Sequence, residues 1–120
     1  IINMYFQKEL SQLSTTNYDQ AKKSLQGPIK KKNIQSHSLN EVLKFSNLEN
    51  KKIDLLDIDV EGADFKVLKG LSFEMTNPEL ICVEIHDKNL KESETYKFLT
   101  NLNYELIWSG VFSHIFRSKT

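Results

Sequence analysis

The chain has 120 residues, room for one small domain rather than two. Its composition, 39% apolar and 27% charged, allows a packed core and argues against wholesale disorder. With 16 basic residues against 16 acidic ones, it lacks the basic excess of a dedicated nucleic-acid binder. Cys82 is the one cysteine, so no internal disulfide scaffold is expected. No apolar run approaches the ~20 residues that span a bilayer, and no charged-then-apolar leader precedes the first strand. A soluble cytoplasmic protein is therefore expected. The chain opens on Ile1, and a piece of something longer is the expectation.

In chain order, Met4-Tyr5-Phe6 lies in a short apolar stretch from Ile1 that reads as a strand. Ser11 to Asn17 is polar and rich in Ser and Thr, a loop. Tyr18 to Gln26 reads as a short helix stopped by Gly27-Pro28, and Asn33 to His37 as a short strand. Ser38-Leu39-Asn40-Glu41 has capping-box spacing, in which the Ser hydroxyl and the Glu carboxylate satisfy backbone donors at a helix start. Leu39, Val42 and Leu43 give that helix one apolar face. Ile53 to Val60 is apolar on both faces except for Asp57 and Asp59, as in a parallel strand covered by helices on both sides.

Ala63 to Leu71 is a helix that Gly70 helps to end. Asn77-Pro78 punctuates, and Glu79 to His86 is a second apolar strand that turns polar at its end. Ser93 to Leu102 carries helical apolar spacing at Phe98, Leu99 and Leu102. Leu106 and Trp108, a turn near Gly110, then Phe112, His114 and Phe116 predict an antiparallel hairpin. Alternating strands and helices with this closing pair predict an α/β layered domain. One domain over 1–120 is expected, with a loop, short helix and strand in 1–37 and the strand–helix core with its hairpin in 38–120.

The informative stretch is Lys52 to Gly62, an apolar strand ending in acids and a glycine before a helix. Open α/β sheets bind ligands in the crevice beyond the carboxyl ends of their parallel strands. If the Ile53 and Glu79 strands are neighbours, Asp59, Glu61, Glu84 and His86 converge on one site.

The run from Ile53 to Gly70 resembles the I-D-F-L-x-I-D-V-E-G-x-x-x-x-V-L-x-G stretch of FkbM-type methyltransferases. Leu13-Ser14-Thr15, Ser38 to Leu43, Pro78 to Glu84, and Phe98-Leu99 through Asn103-Tyr104 resemble further pieces of that family in the expected order. Asn40 stands where the family has Asp, and Asn103 where Gly is common. The resemblance implies an S-adenosylmethionine-dependent methyltransferase acting on a hydroxyl of a sugar or other small molecule. It implies a Rossmann-like sheet, mostly parallel with a C-terminal antiparallel hairpin and helices on both faces.

The four glycines, Gly27, Gly62, Gly70 and Gly110, build no Gly-rich turn between a strand and a helix. By resemblance the chain is the C-terminal part of the domain, its N-terminal strands absent. Those strands would lie between the Ile34 and Ile53 strands, so the Ile53 strand is expected to be an open edge that invites self-association.

Methyl transfer to a hydroxyl needs alignment and removal of a proton, by a general base or a metal. Asp59, Glu61, Glu84 and His86 are the catalytic candidates, with Asp59 also a candidate for cofactor binding. The residue types leave a divalent metal open. Each has a plainer reading: Asp59 as a helix cap, Glu61 as a first-turn acid, Glu84 as a structural hydrogen-bond partner, His86 as an exposed loop residue. The lysines at 22, 23 and 30 to 32 read as a solvated surface, and Trp108, Phe112 and Phe116 as core or cleft-lining residues. The expected partner is a small-molecule or glycan acceptor, with no nucleic acid and no membrane span. Two other readings compete: a non-catalytic α/β interaction domain, and a receiver-like domain with Asp57 as phosphoacceptor.

Overall fold

The computed structural model describes residues 1–7 and 14–120, in two compact units, Ile1–His37 and Ser38–Thr120. The expected loop from Ser11 and the Leu13 end of the family-like Leu-Ser-Thr step lie partly outside the described residues.

The first unit holds β1 (Ile2–Phe6), α1 (Tyr18–Ser24) and β2 (Lys30–Ile34). β1 and β2 pair antiparallel, with Ile2 opposite Ile34 and Phe6 opposite Lys30. The second strand thus begins three residues before the Asn33 expected from sequence. Cross-strand pairing recruits the lysines, which stay exposed, and ends at Ile34. It also places β2 in a two-stranded sheet with β1, not in a common sheet with the Ile53 strand. α1 starts where the Asn17 side-chain oxygen accepts the Gln20 N–H at 3.1 Å, the usual satisfaction of an orphan helix donor.

The second unit holds α2 (Leu39–Phe45), β3 (Leu55–Ile58), α3 (Asp64–Lys69), β4 (Leu80–Glu84), α4 (Glu94–Asn101), β5 (Tyr104–Ser109) and β6 (Ser113–Ser118). The strands form one sheet in the order β3-β4-β6-β5. β3 and β4 are parallel, while β4–β6 and β5–β6 are antiparallel. The sheet is therefore mixed, where a mostly parallel one was expected. The cause is local: β6 returns from the hairpin into the position beside β4, so one hairpin generates two antiparallel pairings.

Side chains alternate between sheet faces with period two. On one face Ile58, Ile81, Val83, Tyr104, His114 and Phe116 are buried, packed against Leu68 of α3 and Leu99 of α4. On the other face, Leu55, Asp57, Trp108 and Arg117 are exposed and Leu80, Cys82, Glu84 and Ile115 only half-buried. This overturns the expectation of helices on both faces. The apolar run at β3 suggested burial on both sides, yet Leu55 is 54% exposed. β3 is also a sheet edge, hydrogen-bonded within this sheet to β4 alone.

The helix starts follow the sequence closely. Ser38 and Glu41 form the capping box, with the Ser38 N–H donating to the Glu41 carboxylate at 2.8 Å and the Glu41 N–H to the Ser38 hydroxyl at 3.3 Å. Asn40 does what an aspartate would do there: its Oδ1 accepts the Ser72 N–H at 2.8 Å. Gly70 lets α2 and α3 approach, since a Cβ on it would sit 3.3 Å from the Leu39 nitrogen and from the Val67 carbonyl oxygen. Asn103 has φ 67°, the left-handed region that Asn tolerates better than most residues, so it replaces the family's Gly at small cost. Beside it, the buried Tyr104 hydroxyl is 2.6 Å from the Pro78 carbonyl oxygen and 2.8 Å from Asn77 Oδ1. At the hairpin turn the Trp108 ring lies over Gly110, where an added Cβ would be 2.7 Å from it.

Candidate functional site

The parallel register sets Ile58 of β3 opposite Val83 of β4, so Asp59 and Glu84 come next at the carboxyl ends of the two strands. Both line one cleft of about 210 Å³, together with Asp57, Cys82 and Ser113. A second cleft of about 230 Å³ lies among the β3–α3 turn, the end of β4 and the start of α4. Glu84 and His86 line it, with Asp64, Phe65, Asp87 and Glu94. Glu84 is common to both. Glu61 lines neither: it is exposed, at φ 50°, in the left-handed turn that leads through Gly62 into α3. The structure thus sets Glu84 beside Asp59 in one cleft and beside His86 in the other, Asp59 and His86 share neither, and Glu61 stands outside both.

The strand ends are joined by a residue the sequence did not single out. Asp64, 4% exposed, receives the Val60 N–H on Oδ1 at 3.3 Å and the Glu84 N–H on Oδ2 at 3.1 Å. One carboxylate therefore satisfies a backbone donor from the end of each strand. It is also the residue that sits in the first turn of α3, a position where an acid complements the helix dipole. Neither Asp59 nor any other side chain caps that helix; its N-cap is Ala63. The signal in the sequence was a first-turn acid, whose partners four and twenty residues away only the fold supplies.

His86 Nε2 is 3.3 Å from a Glu84 carboxylate oxygen. A carboxylate oxygen only accepts, so in this contact Nε2 carries the hydrogen. The imidazole lies over the Phe112 ring, with centroids 4.4 Å apart and planes at 29°. Phe112 is held from β4 by the Ile85 N–H, which donates to its carbonyl oxygen at 2.9 Å.

Cys82 faces the first cleft. Burial pushes its thiol pKa up, and the nearby carboxylates of Asp57, Glu84 and Asp59 push the same way. Asp57, the phosphoacceptor of the receiver-like reading, thus lines the same cleft as this thiol. His114, to which the sequence assigned no role, is buried with Nδ1 3.0 Å from the Ser109 hydroxyl. Burial lowers its pKa, partly offset by a hydrogen bond to the Ile85 backbone. No group of three His, Cys, Asp or Glu side chains among the described residues is arranged to hold a metal ion. No helix among them is long and apolar enough to cross a membrane.

The arrangement is an α/β domain with two carboxylate-lined clefts at the carboxyl ends of a parallel strand pair. The chain belongs to the methyltransferase FkbM domain family, whose model matches residues 5–106. No curated protein and no solved structure matches it.

Proposed function

We propose that the chain is the acceptor side of an S-adenosylmethionine-dependent methyltransferase that methylates a hydroxyl of a sugar or another small molecule. The observation that carries this reading is the Glu84–His86 contact at the end of β4, in a chain of the FkbM methyltransferase domain family. When bound, S-adenosylmethionine supplies an electrophilic methyl group on a sulfonium that leaves as a neutral thioether. The carboxylates of Asp59 and Glu84 suit its positive charge and its ribose hydroxyls, and Asp59 is the residue assigned to hold it. The described residues offer no Gly-rich turn for its amino-acid end, so the fit is to one part of the cofactor.

Within the second cleft, His86 Nδ1 takes the proton from the acceptor hydroxyl, and Glu84 stabilises the imidazolium that results. Acids line that cleft without a lysine or arginine among them, which disfavours phosphorylated acceptors and suits neutral ones. Glu61 is left with the turn. Labelled methyl transfer to a panel of neutral and phosphorylated sugars tests the reading. Glu84→Gln and His86→Gln are each expected to lower kcat on the order of 10²-fold, the usual worth of a positioned base. Full turnover in both variants removes the assignment.

A non-catalytic interaction domain is the second reading, favoured by the unburied sheet face and by the open β3 edge. Labelled S-adenosylmethionine binding separates the two. Under either reading we infer self-association through that edge, whose unpaired backbone groups remain competent to extend a sheet.

A further inference from the structure

We infer that Phe112, just before the returning hairpin strand, is a positioning residue that fixes the plane of the His86 imidazole and so keeps Nε2 on Glu84, the contact that sets the tautomer. The inference rests on His86 acting as the base. An imidazole that must accept a proton at one nitrogen needs its hydrogen held at the other and its ring kept from rotating. Glu84 meets the first need through Nε2, but a single contact of 3.3 Å leaves the ring able to swing about its own bonds. His86 lies beyond the end of β4, and its side chain is 55% exposed, so packing by the core does not hold it. The ring of Phe112 supplies the missing constraint. It covers one imidazole face at 4.4 Å and 29°, close to an offset stack.

Phe112 is itself tied down. Its carbonyl oxygen accepts the Ile85 N–H at 2.9 Å, one residue before His86. The turn that delivers it is closed by the Gly110 N–H donating to the Ser113 carbonyl oxygen at 2.8 Å. Phe112 is 49% exposed, so its ring is open to the imidazole on the protein surface. Stacked and hydrogen-bonded, the imidazole keeps one face and the Nδ1 edge for the acceptor, and the hydroxyl proton passes from the acceptor oxygen to Nδ1.

Long-range proton–nitrogen NMR of the ¹⁵N-labelled chain above pH 8 reads the tautomer of neutral His86 directly. In the wild type the ring is expected to carry its hydrogen on Nε2. Phe112→Leu, which keeps bulk and removes the aromatic face, is expected to give a mixture of the two tautomers. Phe112→Tyr is expected to restore the single form. Nδ1 protonation in the wild type, or a tautomer unchanged in Phe112→Leu, overturns the inference. The readout needs neither donor nor acceptor, so it stands apart from the methyl-transfer assay. In that assay Phe112→Leu is expected to lower kcat with KM for the donor unchanged, and an unaltered kcat also overturns the positioning role.

Discussion

At the scale of single residues, Asp64 does most to define the site while touching none of its chemistry. Its two oxygens accept one N–H from the end of each parallel strand. Removing the carboxylate leaves two partly buried backbone donors without that partner, and each hydrogen bond to a charged group is worth roughly 1.5–3 kcal/mol. Asp64→Ala is expected to lower unfolding stability by about 3 kcal/mol, and Asp64→Asn by less, since an amide oxygen still accepts one bond. Urea unfolding followed by circular dichroism checks this; an unchanged midpoint in Asp64→Ala would mean that the strand ends hold together without it. That Glu84 and His86 fall together at the end of one strand was legible from the sequence, because the apolar run of that strand turns polar there. Asp64 was not, because its importance lies in partners far along the chain. The placing of Glu61 outside both clefts was not legible for a related reason: it sits in a left-handed turn at φ 50°, and no residue pattern announces that angle.

At the scale of elements, what is local was readable and what depends on neighbours was not. The capping box of α2, the apolar spacing of α4 and the hairpin all follow from residues within a few positions of each other. The start of β2 did not, since its partner strand decides it. The junction of β5 with the turn before β4 depends on Tyr104, whose hydroxyl donates a hydrogen bond there. Burial pushes this phenol up to about 12, against about 10 for an unfolded chain. As pH rises from 10 the unfolded state loses its proton first, so it binds fewer protons than the folded state and stability falls. The stabilisation is fully present below pH ~10 and is lost progressively towards pH ~12. Tyr104→Phe is expected to cost about 1 kcal/mol at neutral pH and to flatten that alkaline decline. Unfolding midpoints at pH 7, 10 and 11 measure both effects; an equal decline in the variant would place its cause elsewhere.

At the scale of the whole molecule, the second unit is a four-stranded mixed sheet with a buried face, a face without a buried residue and an open edge at β3. The sequence led to an α/β domain but overstated its parallel character and its helical cover. Apolar content in β3 indicates what can be buried; which face is covered is set by elements that β3 does not encode. Leu55 on this edge strand sits on the uncovered face, beside half-buried Leu80 of β4. A charge there is expected to discourage pairing without disturbing the core. Leu55→Lys is expected to shift the chain from dimer towards monomer in sedimentation velocity at micromolar concentration, with its urea midpoint changed by less than about 0.5 kcal/mol. A wild type that is monomeric throughout would refute association through the edge.

Trp108 is the one tryptophan in the chain, and it rests across the glycine of the hairpin turn rather than in the core. Its emission is therefore a reporter stationed beside the β5–β6 turn, outside the packed layer beneath α3 and α4. Fluorescence and far-ultraviolet dichroism followed side by side would time the fraying of the ring-bearing loop against the collapse of the sheet.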